Sequence, residues 1–218
     1  MSEPNCNSSQ TLLFKWYLVN YSEKSGGNTI IERRTQLDTK SKEWNLPKRQ
    51  LDYGQYFVDF RVAIASRPFV TSSALGFFVI TKSPLIADIL GGNKVTRGID
   101  SVITLDGSAS SDPDLGPGNN SSMQFTWLCK KQQESFPVGS LSSLPVVTLS
   151  SGPGSGGCFG TGVGKLSSSE KVVQLSTSQM LVGETYDVKL VVTKDDRSDD
   201  FVQEIKIVSG NPPEVTIR

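Results

Sequence analysis

Tyr56-Phe57-Val58-Asp59-Phe60-Arg61-Val62 and Tyr186-Asp187-Val188-Lys189-Leu190-Val191-Val192 decide the fold, because they read as one strand written twice. In each, a tyrosine and three apolar residues occupy every second position, so together they line one face of a pleated strand. Gly54 and Gly183 stand ahead of the two sets, where a tight turn would enter the strand. Working outward, Phe14-Lys15-Trp16 corresponds to Phe125-Thr126-Trp127, Trp44-Asn45-Leu46 to Val173-Gln174-Leu175, and Gln50 to Gln179. The ends match as well: Ile80-Thr81-Lys82-Ser83-Pro84 resembles Val208-Ser209-Gly210-Asn211-Pro212, and each proline is followed by a short strand-like run. Self-similarity of this kind marks a repeated structural unit.

Helical periodicity is almost absent. β-Branched and aromatic residues fill the apolar runs, and turn residues interrupt them roughly every 8–12 positions, the spacing of β-sandwiches. The chain is therefore expected to be all-β, built of tandem immunoglobulin-like sandwiches, with Trp16 and Trp127 as core tryptophans between the sheets. Residues 1–83 are read as the first sandwich; Trp16 follows only a short polar lead, so either the sequence begins inside this domain, leaving it incomplete at its N-terminus, or the domain is a shortened variant. Residues 84–211 are read as a second, whole sandwich, and residues 212–218 as the start of a following domain or linker. Proline at each junction fixes the local backbone and cannot extend a central strand.

Composition narrows the chemistry. The 218 residues carry 22 Lys+Arg against 22 Asp+Glu and no histidine. A balanced charge gives no electrostatic reason to expect nucleic acid as a partner. Without histidine the usual general base near neutral pH is missing, and no catalytic constellation can be assembled, so the chain is not expected to be an enzyme. Apolar runs fall short of the ~20 residues that a membrane helix needs, so this stretch is not expected to cross a bilayer. The run Lys194-Asp195-Asp196-Arg197-Ser198-Asp199-Asp200 mixes signs and reads as a solvated hairpin tip.

Leu105-Asp106-Gly107-Ser108-Ala109-Ser110-Ser111-Asp112-Pro113-Asp114 followed by Phe125-Thr126-Trp127 resembles the PKD-type module, in which an Asp/Ser-rich loop joins a strand to the tryptophan strand. Gly91-Gly92, Trp127-Leu128-Cys129, Gly156-Gly157-Cys158 and Ser209-Gly210 before Pro212 narrow this resemblance to the receptor-for-egg-jelly (REJ) region of polycystin-1-like proteins. It is strongest over residues 84–218. The resemblance implies PKD- or fibronectin-III-like sandwiches in an extracellular glycoprotein region of a membrane receptor, at the plasma membrane or cilium. It also implies protein contacts, with a ligand or neighbouring ectodomain, and a link through the parent protein to a polycystin-2-like cation channel. A carbohydrate-binding or accessory PKD-type module of a secreted protein is the alternative. An extracellular setting would make Met1 an unnatural start and leave Cys6 to bridge a cysteine upstream.

In that setting Cys129 and Cys158 are expected to form a disulfide, against the alternatives of two buried thiols or a metal pair. Asp106, Asp112 and Asp114 are the candidate calcium ligands, though turn chemistry is the favoured reading of the same residues. No other cofactor is expected. Asn7, Asn20, Asn119 and Asn120 each have serine two residues on, and so are candidate glycosylation sites. The stretch from Gly152 to Lys165 imitates a phosphate loop but lacks its spacing and strand–helix setting, and reads as a flexible loop.

Overall fold

The structure is a computed structural model describing residues 11–23, 30–36, 41–115, 121–139, 141–148, 156–210 and 212, with side chains described outside 20–23 and 30–36. The chain divides into two compact units, Met1–Lys82 and Ser83–Arg218. Among the described residues both are built of strands, and the one helical element is a single 3-10 turn, Gly157–Phe159.

The first unit holds one antiparallel sheet in the order β2-β1-β3-β4, from β1 (Leu12–Glu23), β2 (Ile30–Gln36), β3 (Gly54–Ile64) and β4 (Arg67–Ile80). Alternation sends Trp16 on β1 and Tyr56, Val58, Phe60 and Val62 on β3 to the same face. The sequence predicts a sandwich here. Among the described residues there is one sheet, and the face that would be internal is covered in part by Trp44 and Leu46 from an irregular segment.

The second unit has two sheets. The larger runs β5-β12-β11-β7-β9-β8 and the smaller pairs β10 with β6. Its strands are β5 (Lys94–Gly98), β6 (Val102–Asp106), β7 (Gln124–Lys131), β8 (Val146–Val147), β9 (Gly164–Leu166), β10 (Val172–Ser176), β11 (Thr185–Lys194) and β12 (Arg197–Val208). Ile103 and Leu105 of β6 and Val173 and Leu175 of β10 meet Trp127, Val188, Leu190 and Ile205 of the larger sheet in one buried cluster. Leu85, Ala87 and Ile89, ahead of β5, add every second residue to that core. The sheets thus form two layers around one apolar interior.

The strand register reproduces the sequence repeat. Trp16 pairs with Phe60 as Trp127 pairs with Leu190, and Phe14 with Val62 as Phe125 with Val192. The Trp16 indole N–H donates to the Ser41 carbonyl at 2.9 Å, three residues before Trp44. The Trp127 indole N–H likewise donates to the Glu170 carbonyl at 2.9 Å, three residues before Val173. Both tyrosines tie back to the turn before their strand: the Tyr56 hydroxyl donates to the Asp52 carbonyl, and the Leu181 N–H donates to the Tyr186 hydroxyl. This is the tyrosine-corner arrangement of β-sandwiches. Gly183, at φ +88°, takes the left-handed conformation that the turn into β11 requires.

Candidate functional site

The charged run at the β11–β12 hairpin is not simply solvated. Lys194 and Arg197 fold back onto Asp112, whose carboxylate is 1% exposed. Arg197 makes a two-pronged contact with it at 3.0 and 2.9 Å, and Lys194 Nζ lies at 2.9 Å. Arg197 also donates to the Asp114 carboxylate at 3.1 Å and the Ser83 carbonyl at 2.8 Å. Asp114 accepts further bonds from the N–H and hydroxyl of Ser83. The Arg197 guanidinium, followed by Lys194, holds the Asp112 carboxyl far below the ordinary carboxylate range, against the upward push of burial. The mixed-sign pattern misled because alternation along a hairpin tip does not reveal which side chains turn inward.

This network bears directly on the candidate calcium ligands. Asp112 and Asp114 are brought together, but two cationic side chains already neutralise them. Asp106 lies apart from that pair in bonding, its carboxylate accepting the N–H of Ser108 at 2.9 Å. Among the described residues no group of three or more Asp, Glu, Cys or His could hold a metal ion. The geometry is turn and ion-pair chemistry that fastens the start of the second unit to its β11–β12 hairpin.

Cys129 of β7 and Cys158 of the 3-10 turn are joined by a disulfide, with Cα atoms 5.4 Å apart and both residues buried. The glycines beside it explain part of the phosphate-loop-like stretch. A Cβ on Gly157 would lie 2.8 Å from the Cys129 carbonyl oxygen, and one on Gly164 would lie 2.3 Å from Val147 Cγ2. Here glycine permits two backbones to meet beside the bridge, so the described end of the stretch is packed structure rather than a flexible loop. Residues 152–155 lie outside the described residues, as do Cys6, Asn7, Asn119 and Asn120. Asn20 lies on β1 opposite Tyr56, and its side chain is outside the described set.

Trp127 is fully buried, whereas Trp16 is half-buried and lines an open groove of about 550 Å³. Trp16, Trp44, Leu46, Val58, Phe60 and Phe78 form most of it, and every lining residue is apolar or glycine. The Trp16 ring sits 4.3 Å from Phe60 and 6.2 Å from Trp44. Next to the groove, β4 forms one edge of the sheet, with Phe69, Leu75 and Phe77 exposed by 82%, 75% and 55%. Sequence reasoning placed Trp16 in a core by analogy with Trp127. No local signal separated the two, because Phe14-Lys15-Trp16 and Phe125-Thr126-Trp127 match.

The described residues thus form an all-β, two-unit chain with an apolar groove in the first unit and a disulfide in the second. The chain belongs to the REJ domain family, whose model matches residues 2–218. It is 31% identical over 96 residues to the Polycystin family receptor for egg jelly of Homo sapiens, and 33% over 95 residues to that of Mus musculus. Each alignment covers 42% of this chain and 4% of the relative, so the chain corresponds to a small part of those proteins. A solved structure of three N-terminal domains of the bacteriophage RB49 Highly Immunogenic Outer Capsid protein aligns over 94% of this chain and 51% of its own, at 11% identity. Its TM-score of 0.36 is too low to carry an argument. Among the described residues no helix is long and apolar enough to cross a membrane.

Proposed function

We propose that the chain is a non-catalytic extracellular module of a polycystin-1-like membrane receptor, made of immunoglobulin-like units that space and orient the ectodomain. It makes protein–protein or mechanosensory contacts linked, through the parent protein, to a polycystin-2-like cation channel. The observation that carries this reading is the REJ family match along essentially the whole chain. The buried Cys129–Cys158 bridge supports it, since structural disulfides persist on the oxidising side of the membrane. The carbohydrate-binding alternative draws on the half-buried aromatic pair Trp16 and Trp44 in the groove. A sugar, however, needs several hydrogen-bonding partners for its hydroxyls, and the lining side chains carry only two indole N–H groups, of which that of Trp16 is already bonded to Ser41.

The test uses the full-length protein in cells. An antibody raised against the second unit should stain intact, unpermeabilised cells, and non-reducing mass spectrometry should recover the Cys129–Cys158 linked peptide. Staining only after permeabilisation would refute the extracellular placement.

A further inference from the structure

β12 is bonded along its length to the segment by which the chain enters the second unit. At its first residue, Arg197 donates to the Ser83 carbonyl at 2.8 Å, and two residues on the Asp199 carboxylate accepts the Ala87 N–H at 2.7 Å. Farther along, the Gln203 amide donates to the Leu90 and Gly92 carbonyls at 3.5 and 2.7 Å. The Glu204 N–H then donates to the Asn93 carbonyl at 2.8 Å. Parallel pairing runs from Lys94 opposite Glu204 to Gly98 opposite Val208, and the Ile99 N–H closes it on the Val208 carbonyl at 3.0 Å. Residues 83–99 and 197–208 therefore lie side by side in the same chain direction. The first half of this contact uses side chains, because Leu85, Ala87 and Ile89 turn alternately into the core. Gly91 and Gly92, both at positive φ, then bring the chain into β5, where main-chain pairing takes over.

We infer that the second unit is a tension-bearing element, in which a pull on its two ends is taken as shear between the entry segment and β12. The chain arrives beside Arg197 and leaves β12 at Val208, the two ends of a 12-residue strand and roughly 35–40 Å apart. Tension draws the entry segment toward its N-terminal side and β12 toward its C-terminal side. In a parallel pair those directions are opposed along one shared axis, so the strands can part only by sliding. Every main-chain bond between β5 and β12 is then loaded at once. Strands pulled apart from one end instead lose their bonds in turn, each bearing the load alone. The ion cluster fixes where the load enters. Ser83 is held by Arg197 on its carbonyl and by Asp114 on its N–H and hydroxyl, and Arg197 is itself pinned on the buried Asp112 carboxylate. Asp199 and Gln203 extend the hold between that cluster and β5, which is only five residues long. This inference rests on the bonding within the second unit and stands apart from the receptor reading.

The experiment holds single molecules of the full chain at constant load and reads the unfolding rate, the quantity that governs forced unfolding. Handles are attached either at the two chain ends or at the N-terminus and a tag inserted between Ser121 and Ser122. Those serines are exposed and precede β7 at the Ser83 end of the sheet, since Gln124 pairs with Thr193 and Thr193 with Ser198. The first arrangement shears the entry segment along β12, and the second peels it away. End to end, events of the second unit are those that lengthen when phosphine reduces Cys129–Cys158; in the second arrangement they release residues 83–121 alone. At equal load, opening should be slower end to end, on the order of five-fold or more, because at least one further main-chain bond must give way together with the first. Equal rates, or faster opening end to end, would overturn the inference. Two prolines supply a second measurement. Asn93 and Ile99 bond β12, so by alternation Val95 and Arg97 face it too, while the Thr96 N–H points away. Arg97→Pro should raise the end-to-end rate on the order of five-fold. Thr96→Pro, at an outward N–H on the end strand of the sheet, should leave it nearly unchanged. Equal effects of the two prolines would also overturn the inference. Should Arg97→Pro fail to fold, the two attachments decide alone, since they need no substitution.

Discussion

Replacing Cys129 and Cys158 together by alanine should destabilise the second unit by about 3–4 kcal/mol. The bridge spans 29 residues of sequence. In the loop-closure account a link of that span removes about 12 cal/mol/K of entropy from the unfolded chain, or ~3.6 kcal/mol at 25 °C. Both residues are buried, so lost packing adds to this figure rather than subtracting from it. Natural domains hold about 5–15 kcal/mol, so the variant should still fold. With a urea slope of about 1.5–2 kcal/mol/M, the midpoint should fall by roughly 2 M. The assay is urea unfolding followed by the fluorescence of Trp127 alone, in a Trp16→Phe, Trp44→Phe background. Reducing the bridge with a phosphine, without mutation, should give a similar shift. A shift under about 0.3 M by both routes would refute the reasoning, because loop closure would then contribute almost nothing to this unit.

Gly164→Ala should lower the melting temperature of the second unit, by an overpacking cost of about 1–3 kcal/mol, because its Cβ would lie 2.3 Å from Val147 Cγ2; an unchanged melting curve would show that Val147 moves freely. Acid should weaken the same unit through Asp112, whose folded pKa is held below the ordinary 3.8. Its contribution is fully present above the unfolded value and is lost as pH falls below about 4 toward the folded one. Stability measured from pH 6 down to 2 should therefore show a fall that is smaller in Asp112→Asn, and parallel curves would remove Asp112 from the acid response.

Much of the fold was legible because a strand with one buried face must alternate. Tyr186, Val188, Leu190 and Val192 are all fully buried, and their counterparts on β3 share one face at the same register. The repeat also located both tryptophan strands. Other features depend on contacts that no local pattern encodes. β5 is five residues long and pairs in parallel with a strand more than a hundred positions away, so neither length nor hairpin chemistry announces it. Arg197 and Lys194 read as solvated because their partner Asp112 lies across the fold. The difference in burial between Trp16 and Trp127 was likewise hidden, since the two sit in matching local sequences and differ only in what lies over them.

The disulfide also sets how far the module can be stretched. Cys129 and Cys158 are 29 positions apart in sequence yet have Cα atoms 5.4 Å apart. An unfolded but oxidised second unit would thus keep that stretch stored as slack, amounting to roughly 90–100 Å of contour at ~3.4 Å per residue. Only a reductant would release it. For a unit carrying load, the redox state of one buried bond would then fix two distinct end-to-end lengths.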